Sequence, residues 1–193
     1  MAVDTHGRWP WASAALVAPT WGGALRARRW LGEDGHWVAW LALPILVAHQ
    51  TEEWVRPGGF LPFANQRLLG AREPAWPLTE RVGFVVNVPL GWGTAIGGAL
   101  LWERTPALAA GVLAIEAGNA LMHGGMAVRE RRYNPGAVTG PLLMGTHAAA
   151  GAAWLARSGR MTRRSTATAL ALGAAFTLGM PLALKRRMRR ARR

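Results

Sequence analysis

The sequence predicts an all-α protein, a polytopic transmembrane helix bundle of about five spans. Hydrophobic residues make up 51% of the 193-residue chain, and they collect in long runs of Ala, Leu, Val and Gly. A membrane-crossing helix needs roughly 17–25 mostly apolar residues. Five stretches approach that length: 37–56, 82–102, 106–128, 137–156 and 167–184. A chain of this size is expected to hold them in one transmembrane domain, 37–184.

The segments outside the spans have the composition of loops or of a membrane interface. The N-terminal segment 1–36 contains an apolar stretch, 9–25, which two prolines and two adjacent glycines interrupt. We therefore predict that it consists of short pieces that lie on the membrane surface or insert loosely. The connection 57–81 is rich in Pro and Gly and is predicted to be a loop or a short re-entrant cap. The shorter connection 129–136 ends in residues typical of a turn, Tyr133-Asn134-Pro135-Gly136.

Tryptophan placement supports the membrane prediction. Trp37 and Trp54 bracket the first predicted span, while Trp102 and Trp154 lie at the ends of the second and fourth. Indole rings favour the headgroup level of a bilayer, so side chains at these positions are expected to form an interfacial belt.

The net charge of +13 is concentrated at one end of the chain. Seven of the 23 Lys and Arg residues lie in the tail 185–193, directly after an apolar segment. Such a cluster is attracted to anionic lipid by about 1 kcal/mol per charge near the surface. We therefore expect the partners to be membrane lipids, with anionic headgroups bound by the basic tail, and no nucleic acid.

The same charges predict an orientation. With five spans, the face that includes the tail carries fourteen Lys and Arg residues and the opposite face carries nine. The positive-inside rule then places the C-terminus in the cytoplasm and the protein in the cell's inner or plasma membrane. The chain has no Cys, which excludes disulfides and thiolate metal ligands.

Acidic residues inside the predicted spans point to a functional site. The first span ends in the string His49-Gln50-Thr51-Glu52-Glu53, and the third contains Glu116, Asn119 and His123 at helical spacing. A carboxylate at bilayer depth costs about 2.5–3.5 kcal/mol on insertion scales, so such groups normally have partners. Both spans end on the same face, which predicts that these side chains gather in one half of the bundle.

Imidazoles and carboxylates on facing helices predict a metal site. Glu52 and Glu53 lie three and four residues after His49, and are therefore near it on the helix surface. Helix bundles build di-iron and di-manganese sites from similar inward-facing pairs. We expect one or two divalent ions, Fe, Zn or Mn. The predicted ligands are His49, Glu52, Glu53, Glu116 and His123, with Glu53 and Glu52 as catalytic groups.

Four further residues are predicted to support this site. Asn87 and Asn119 are expected to form interhelical hydrogen bonds. His147 is either a further ligand or a solitary packed histidine, and Tyr133 either covers the site or anchors the chain at the interface. His6 and His36 are predicted to be surface residues.

The string His49-x-x-Glu52-Glu53 at the end of an apolar helix resembles the signature of the HXXEE-domain family, a group of small multi-pass membrane proteins. The resemblance extends over roughly residues 37–156 and implies that His49, Glu52 and Glu53 are the characteristic residues. It implies no particular reaction.

Two classes of function remain open from the residues. One is a membrane-embedded metal-dependent enzyme acting on a lipid-like or peptide substrate, by hydrolysis or by iron-dependent oxidation. The hydrolytic version is favoured by the similarity of His-x-x-Glu-Glu to the His-x-x-Glu-His string of zinc peptidases, from which Glu53 departs. The alternative is a non-enzymatic protein with a buried His/Glu ion or proton relay. Acyl-enzyme chemistry has no candidate nucleophile, because the first three spans contain neither Ser nor Cys.

Overall fold

The described part of the chain is almost entirely helical. The protein is represented by a computed structural model, which describes residues 7–29 and 37–191. No β-strand occurs within these ranges, so the prediction of an all-α fold is confirmed. The two histidines predicted to lie at the surface, His6 and His36, fall outside the described residues.

Of the first four helices, the first is the longest, with 19 residues. Helix α1 spans Trp9–Ala27, α2 is the single turn Trp37–Trp40, and α3 spans Ala42–Trp54. Helix α4 begins with the α-helical residues Phe60–Pro62 and continues as the π-helical turn Phe63–Leu68.

The remaining helices form the body of the bundle. Helix α5 spans Glu80–Leu101, and α6 spans Pro106–Glu130. Helix α7 begins with the π-helical turn Gly140–Gly145 and continues as Thr146–Arg157. Helix α8 spans Arg163–Ala191.

Local sequence signals account for several helix ends. The side chain of Thr79 accepts a hydrogen bond from the backbone N–H of Val82 and caps α5. Thr162 and Ser165 form a capping box at the start of α8. Pro106 occupies the first turn of α6, where its missing N–H costs nothing. Arg131 ends the same helix in the left-handed conformation, with φ 49°.

Two helices of the described chain are long and apolar enough to cross a membrane by length and composition. These are α5, with a mean hydropathy of 1.5, and α8, with a mean hydropathy of 1.7. The predicted five-span bundle is therefore not confirmed. A turn at Leu41 divides the first predicted span into α2 and α3, and α3 has only 13 residues. The third predicted span, within α6, contains the polar residues of the predicted site, which lower its hydropathy.

Helix α1 corrects the prediction for segment 9–25. The structure shows one continuous helix of 19 residues with Pro19 inside it, instead of several short pieces. Pro10 lies in the first turn, where a helix tolerates proline. The helix packs on α3, and the Ser13 hydroxyl donates a hydrogen bond of 2.9 Å to Gln50 Oε1 in the interior. Tertiary packing therefore overrides the local helix-breaking signals.

Glycines allow α8 to pack closely against α6. A Cβ added at Gly118 would lie 2.1 Å from Thr177 Cγ2, and one at Gly111 would lie 2.9 Å from Leu172 Cδ1. Small residues at such crossings let the two backbones approach, as is usual where helices associate in membranes. Helix α6, which carries two of the predicted metal ligands, therefore packs against both α7 and α8.

The basic tail continues the last helix as far as the structure describes it. Leu184 and Met188 are buried against residues of the 57–81 connection, including Leu69 and Leu78. Arg187 Nη1 also donates a hydrogen bond of 3.2 Å to the Pro77 carbonyl. One face of this segment is therefore packed against the protein, while Lys185, Arg186, Arg189 and Arg190 are exposed.

Candidate metal centre

Three side chains converge where the C-terminal end of α3 meets α6. His49 and Glu53 are one turn apart on α3, and His123 lies on α6. Glu53 Oε1 is 3.4 Å from His49 Nε2 and 3.1 Å from His123 Nε2. One ligand atom from each residue lies within 4.8 Å of the other two. All three residues are buried.

Asn134 fixes the tautomer of His123. The Asn134 amide Nδ2 donates a hydrogen bond of 3.0 Å to the backbone carbonyl of His123, so Oδ1 is the atom that faces the ring. That oxygen lies 2.9 Å from His123 Nδ1, and because it can only accept, Nδ1 must carry a proton. In the neutral imidazole, Nε2 then has the lone pair, and this lone pair points toward Glu53.

Thr139 fixes the tautomer of His49. The Thr139 hydroxyl donates its single proton to Glu52 Oε2, so its oxygen is left to accept from His49 Nδ1 at 2.8 Å. The lone pair of neutral His49 is therefore also on Nε2. Neither Nε2 atom has a hydrogen-bond partner of suitable geometry in the described chain.

The site thus brings together acceptors that a cation would stabilise. Two imidazole lone pairs and a carboxylate face one another in a buried site, where unpaired polar groups are costly. A metal held at about 2.0–2.1 Å by such atoms separates neighbouring ligands by about 3.0–3.5 Å. Two of the three separations, 3.1 and 3.4 Å, agree with that spacing. A proton on one histidine would also relieve the repulsion.

Glu52 faces away from these acceptors. Its carboxylate accepts hydrogen bonds from the backbone N–H groups of Val138 and Thr139, at 3.0 and 2.7 Å, and from the hydroxyl groups of Thr139 and Tyr133. Four donors satisfy an ionised carboxylate and hold the connection between α6 and α7 against α3. The structure therefore does not place Glu52 in the ligand group predicted for it, but behind His49.

Tyr133 lies at the outer edge of the site. Its ring is half-exposed, and its hydroxyl donates a hydrogen bond of 3.0 Å to Glu52 Oε1. Burial of the hydroxyl and the neighbouring Glu52 carboxylate raise the pKa of Tyr133 above its usual range. The phenol therefore remains a hydrogen-bond donor to Glu52.

Gly136 closes the centre from the side of the same connection. Its φ of +96° belongs to a region that L side chains rarely adopt. A Cβ at this position would lie 2.6 Å from His123 Cε1 and 2.8 Å from His49 Cε1. Only a glycine can pass this close to both rings, so the connection fits over the two histidines.

Glu116 and His147 form a separate buried pair. Glu116 Oε2 lies 2.6 Å from His147 Nδ1, and His147 Nε2 lies 2.9 Å from the carbonyl oxygen of Val38. Glu116 was predicted to be a ligand together with His123, but it is paired with α7 instead. Glu116 and His123 share one face of α6, but they contact different neighbours because they are two helical turns apart.

The two predicted asparagines do not reach the metal centre. Asn87 accepts a hydrogen bond of 3.1 Å from Gln50 Nε2 of α3, which is the interhelical role expected of it, and donates to the Gly83 carbonyl within its own helix. Asn119 is half-buried and makes no side-chain hydrogen bond within the described ranges, so the interhelical bond predicted for it is not found there.

Sequence reasoning missed the supporting role of Asn134 and the aromatic side of the site. Phe60 and Phe63 lie 6.1 and 6.4 Å from the His123 ring, measured between centroids. The turn residues around Asn134 were a usable signal, because they lie at the same end of the bundle as the histidines. No sequence signal could have identified the two phenylalanines of α4, because nothing in the local pattern places that segment beside α6.

Comparison with known proteins agrees with the motif. The model of a family described as "Protein of unknown function with HXXEE motif" matches residues 40–150, more than half of the chain. The matched range contains the three converging side chains and the residues that support them. No curated protein and no solved structure matches the chain.

Proposed function

The chain belongs to the HXXEE-motif family of proteins of unknown function, and we propose that it is a membrane-embedded, metal-dependent enzyme. The proposed cofactor is one divalent ion held by His49, Glu53 and His123. The proposed substrate is lipid-like or a peptide, and the reaction is hydrolysis or iron-dependent oxidation.

One observation carries the metal proposal. The hydrogen bonds that His123 and His49 donate to Asn134 and Thr139 set the ring tautomers so that both Nε2 lone pairs face the Glu53 carboxylate. Histidines that bind metals commonly donate their other ring N–H to a fixed oxygen, which orients the ring and increases its basicity. Both histidines here have such a partner.

The donor atoms indicate which metals fit the site, and the pairing of Glu116 indicates how many ions it holds. Two imidazoles and one carboxylate occur in hydrolytic zinc sites and in non-haem iron oxygenases, in both cases with coordination positions left for water or substrate. Zn and Fe are therefore the first candidates and Mn the third. Because Glu116 is paired with His147, the proposal is one ion instead of two. When bound, such an ion activates water or dioxygen.

Exposed apolar surface supports the membrane location. Only 17% of the most apolar window of α5, and the same share in α8, is buried within the protein. Apolar helices whose side chains point outward need lipid or another apolar partner. The exposed basic side chains at the end of α8 would then contact anionic headgroups, with the C-terminus cytoplasmic in the inner or plasma membrane.

Metal analysis tests this function directly. We expect protein purified in mild detergent without chelator to contain about one equivalent of Zn, Fe or Mn in total. Protein stripped with chelator and reconstituted with each metal should bind one equivalent of at least one of them. If the His49→Ala variant retained as much metal as wild type, or if no metal rebound, the proposed centre would be wrong.

The alternative proposal, a non-enzymatic ion or proton relay, is favoured by a different observation. The Glu116–His147 pair is fully inside the bundle and its hydrogen bond is only 2.6 Å long. A relay through this pair predicts that proteoliposomes conduct protons whether or not metal is bound, and that Glu116→Gln abolishes the conduction. Proton conduction measured with and without bound metal therefore separates the two functions.

A further inference from the structure

The buried pair formed by Glu116 and His147 is not explained by the metal centre. Their relative exposures are 3% and 5%, and they lie on different helices, α6 and α7. One Glu116 oxygen contacts the imidazole, while the other, Oε1, is buried and has no hydrogen-bond partner among the residues described. A buried acid in this state requires a proton or another cation.

The hydrogen bond to Val38 determines how many protons the pair holds. A backbone carbonyl can only accept, so His147 Nε2 carries a proton and donates it to Val38. If the ring is neutral, Nδ1 is then an acceptor. The separation of 2.6 Å between Nδ1 and Glu116 Oε2 is a hydrogen bond, so one further proton lies between these two atoms.

The surroundings favour the location of that proton on the carboxyl group. The cleft beside His147 is lined mainly by apolar side chains, among them Ala39, Ala42 and Leu113. An ionised Glu116 would leave a charged oxygen without a donor in this setting, whereas a neutral acid leaves only a carbonyl oxygen. Unpaired buried charge is far more costly than an unpaired neutral group.

We propose that Glu116 and His147 form a proton-binding site in the core of the bundle, in which Glu116 is a neutral carboxylic acid that donates to a neutral imidazole. The ligand of this site is a proton. Transfer within the pair breaks the Oε2–H bond and forms the Nδ1–H bond, leaving a carboxylate beside an imidazolium. The Nε2–H of His147 is unchanged. The site can therefore store a proton and release it inside the protein.

This inference stands apart from the metal centre. Glu116 precedes His123 by seven residues, about 10 Å along the helix. The other helices that pack near the pair present the Val38 carbonyl from α2, His49 from α3, and the uncharged Leu172 and Thr177 from α8. Of these groups, His49 is the titratable one, and its tautomer is set by Thr139 instead.

Infrared spectroscopy of the purified chain tests the proposal. At neutral pH, wild type should show the carbonyl stretch of a protonated carboxylic acid, with a shift on exchange into D2O. Glu116→Gln, which preserves shape and can still donate to the imidazole, should lose this band. The matched variants Glu53→Gln and Glu52→Gln should retain it. A wild type without the band, or a Glu116→Gln protein that keeps it, would overturn the assignment.

Nitrogen NMR of histidine gives a second test that needs no variant of Glu116. Wild type labelled with ¹⁵N at histidine should show a neutral ring with Nε2 protonated and Nδ1 bare, and His147→Gln should remove that signal. The metal-centre histidines are expected to be the opposite tautomer, and the loss of the signal in His147→Gln distinguishes it from signals of His6 and His36. If no signal of a ring with Nε2–H and a bare Nδ1 were lost in His147→Gln, or if His147 were an imidazolium, the neutral-acid form would be excluded.

Discussion

At the residue scale, the two neighbouring glutamates of the motif serve different partners. Glu53 points at the Nε2 atoms of His49 and His123, whereas Glu52 binds backbone and hydroxyl donors at the start of α7. Consecutive residues on a helix are about 100° apart, so both cannot face the same site. The motif therefore combines one acid that faces the two histidines with one acid that contacts His49 through Thr139.

We predict unequal effects from removing the two charges. Glu53→Gln should lower metal affinity by more than the roughly 10–100-fold typical of supporting partners, and Glu52→Gln should lower it within that range. The reason is that only Glu53 offers its carboxylate to the ion. Competition with a chromophoric chelator measures both affinities. Arg189→Ala, at the exposed end of α8, is the control and should bind as wild type does. A larger loss in Glu52→Gln would reverse the assignment.

Gly136 allows a sharper test because the chain contains a matched glycine. Gly136→Ala should destabilise the protein by about 1–3 kcal/mol through backbone strain and should also displace the two histidine rings. Gly59 has a similar φ of +89°, but the nearest atom to an added Cβ is 3.9 Å away. Gly59→Ala should therefore cost a similar amount of stability without lowering metal affinity.

Thermal unfolding of the two variants in detergent measures the stability lost to backbone strain. Metal titration measures whether the added methyl group displaces the histidine rings. Equal metal affinities in Gly136→Ala and Gly59→Ala would show that the connection does not hold the rings in place.

At the scale of elements, Gln50 joins three helices. This fully buried residue of α3 accepts hydrogen bonds from Ser13 on α1 and from the indole of Trp92 on α5, at 2.9 and 2.8 Å. Its amide donates to Asn87. All of its capacity is used, so the network fixes how α1 and α5 sit on α3.

Loss of this network should be costly. We predict that Gln50→Ala lowers the free energy of unfolding by about 1–3 kcal/mol, because the buried donors of Ser13 and Trp92 lose their acceptor. Gln66→Ala provides the comparison, since that side chain is exposed and should change stability by no more than about 0.5 kcal/mol. Denaturation of both variants in the same detergent gives the values. Similar stabilities would mean that α1 contributes little to the bundle.

At the scale of the whole molecule, the structure groups the functional elements at one end. Gly59 lies beside Pro135, so the 57–81 connection and the α6–α7 connection are neighbours. Ser158 follows α7 at the other end, about 27 Å away along an 18-residue helix. His49 and His123 lie at this end, beside Gly136, whereas Glu116 lies about 10 Å further along α6 and is paired with His147 near Val38. The prediction that the polar side chains gather in one half of the bundle therefore holds for only part of the set.

Cysteine labelling in intact cells or spheroplasts tests whether this arrangement crosses a membrane. The chain has no Cys, so single substitutions report without background. Gln66→Cys and Arg132→Cys, both exposed, should react with an impermeant thiol reagent from the same side, and Ser158→Cys from the other. The expected side for the first pair is the cytoplasm. Labelling of all three from one side would contradict a membrane crossing by α7, and opposite labelling of the first pair would contradict the single site.

The local sequence pattern was sufficient to predict the all-helical class, the alignment of polar residues along helix faces and the family motif. His49 and Glu53 share a helix face because of i,i+4 spacing, which depends on a few consecutive residues only. The same reasoning failed at Leu41 and in 9–25. Apolar composition does not show where a chain turns, and prolines in a helix are tolerated when packing compensates.

The sequence by itself determined an all-α chain with acids and histidines on apolar helices, and it determined the family through His49, Glu52 and Glu53. Only the tertiary structure decided which acid meets which histidine. Glu116 joins His147 instead of His123, and Glu52 supports His49 from behind, because these contacts depend on how each helix is rotated against its neighbours. The roles of Asn134, Thr139 and Gly136 depend on the path of one connection across two helices. No periodicity along the chain encodes that path, since it is set by contacts between residues about 90 positions apart.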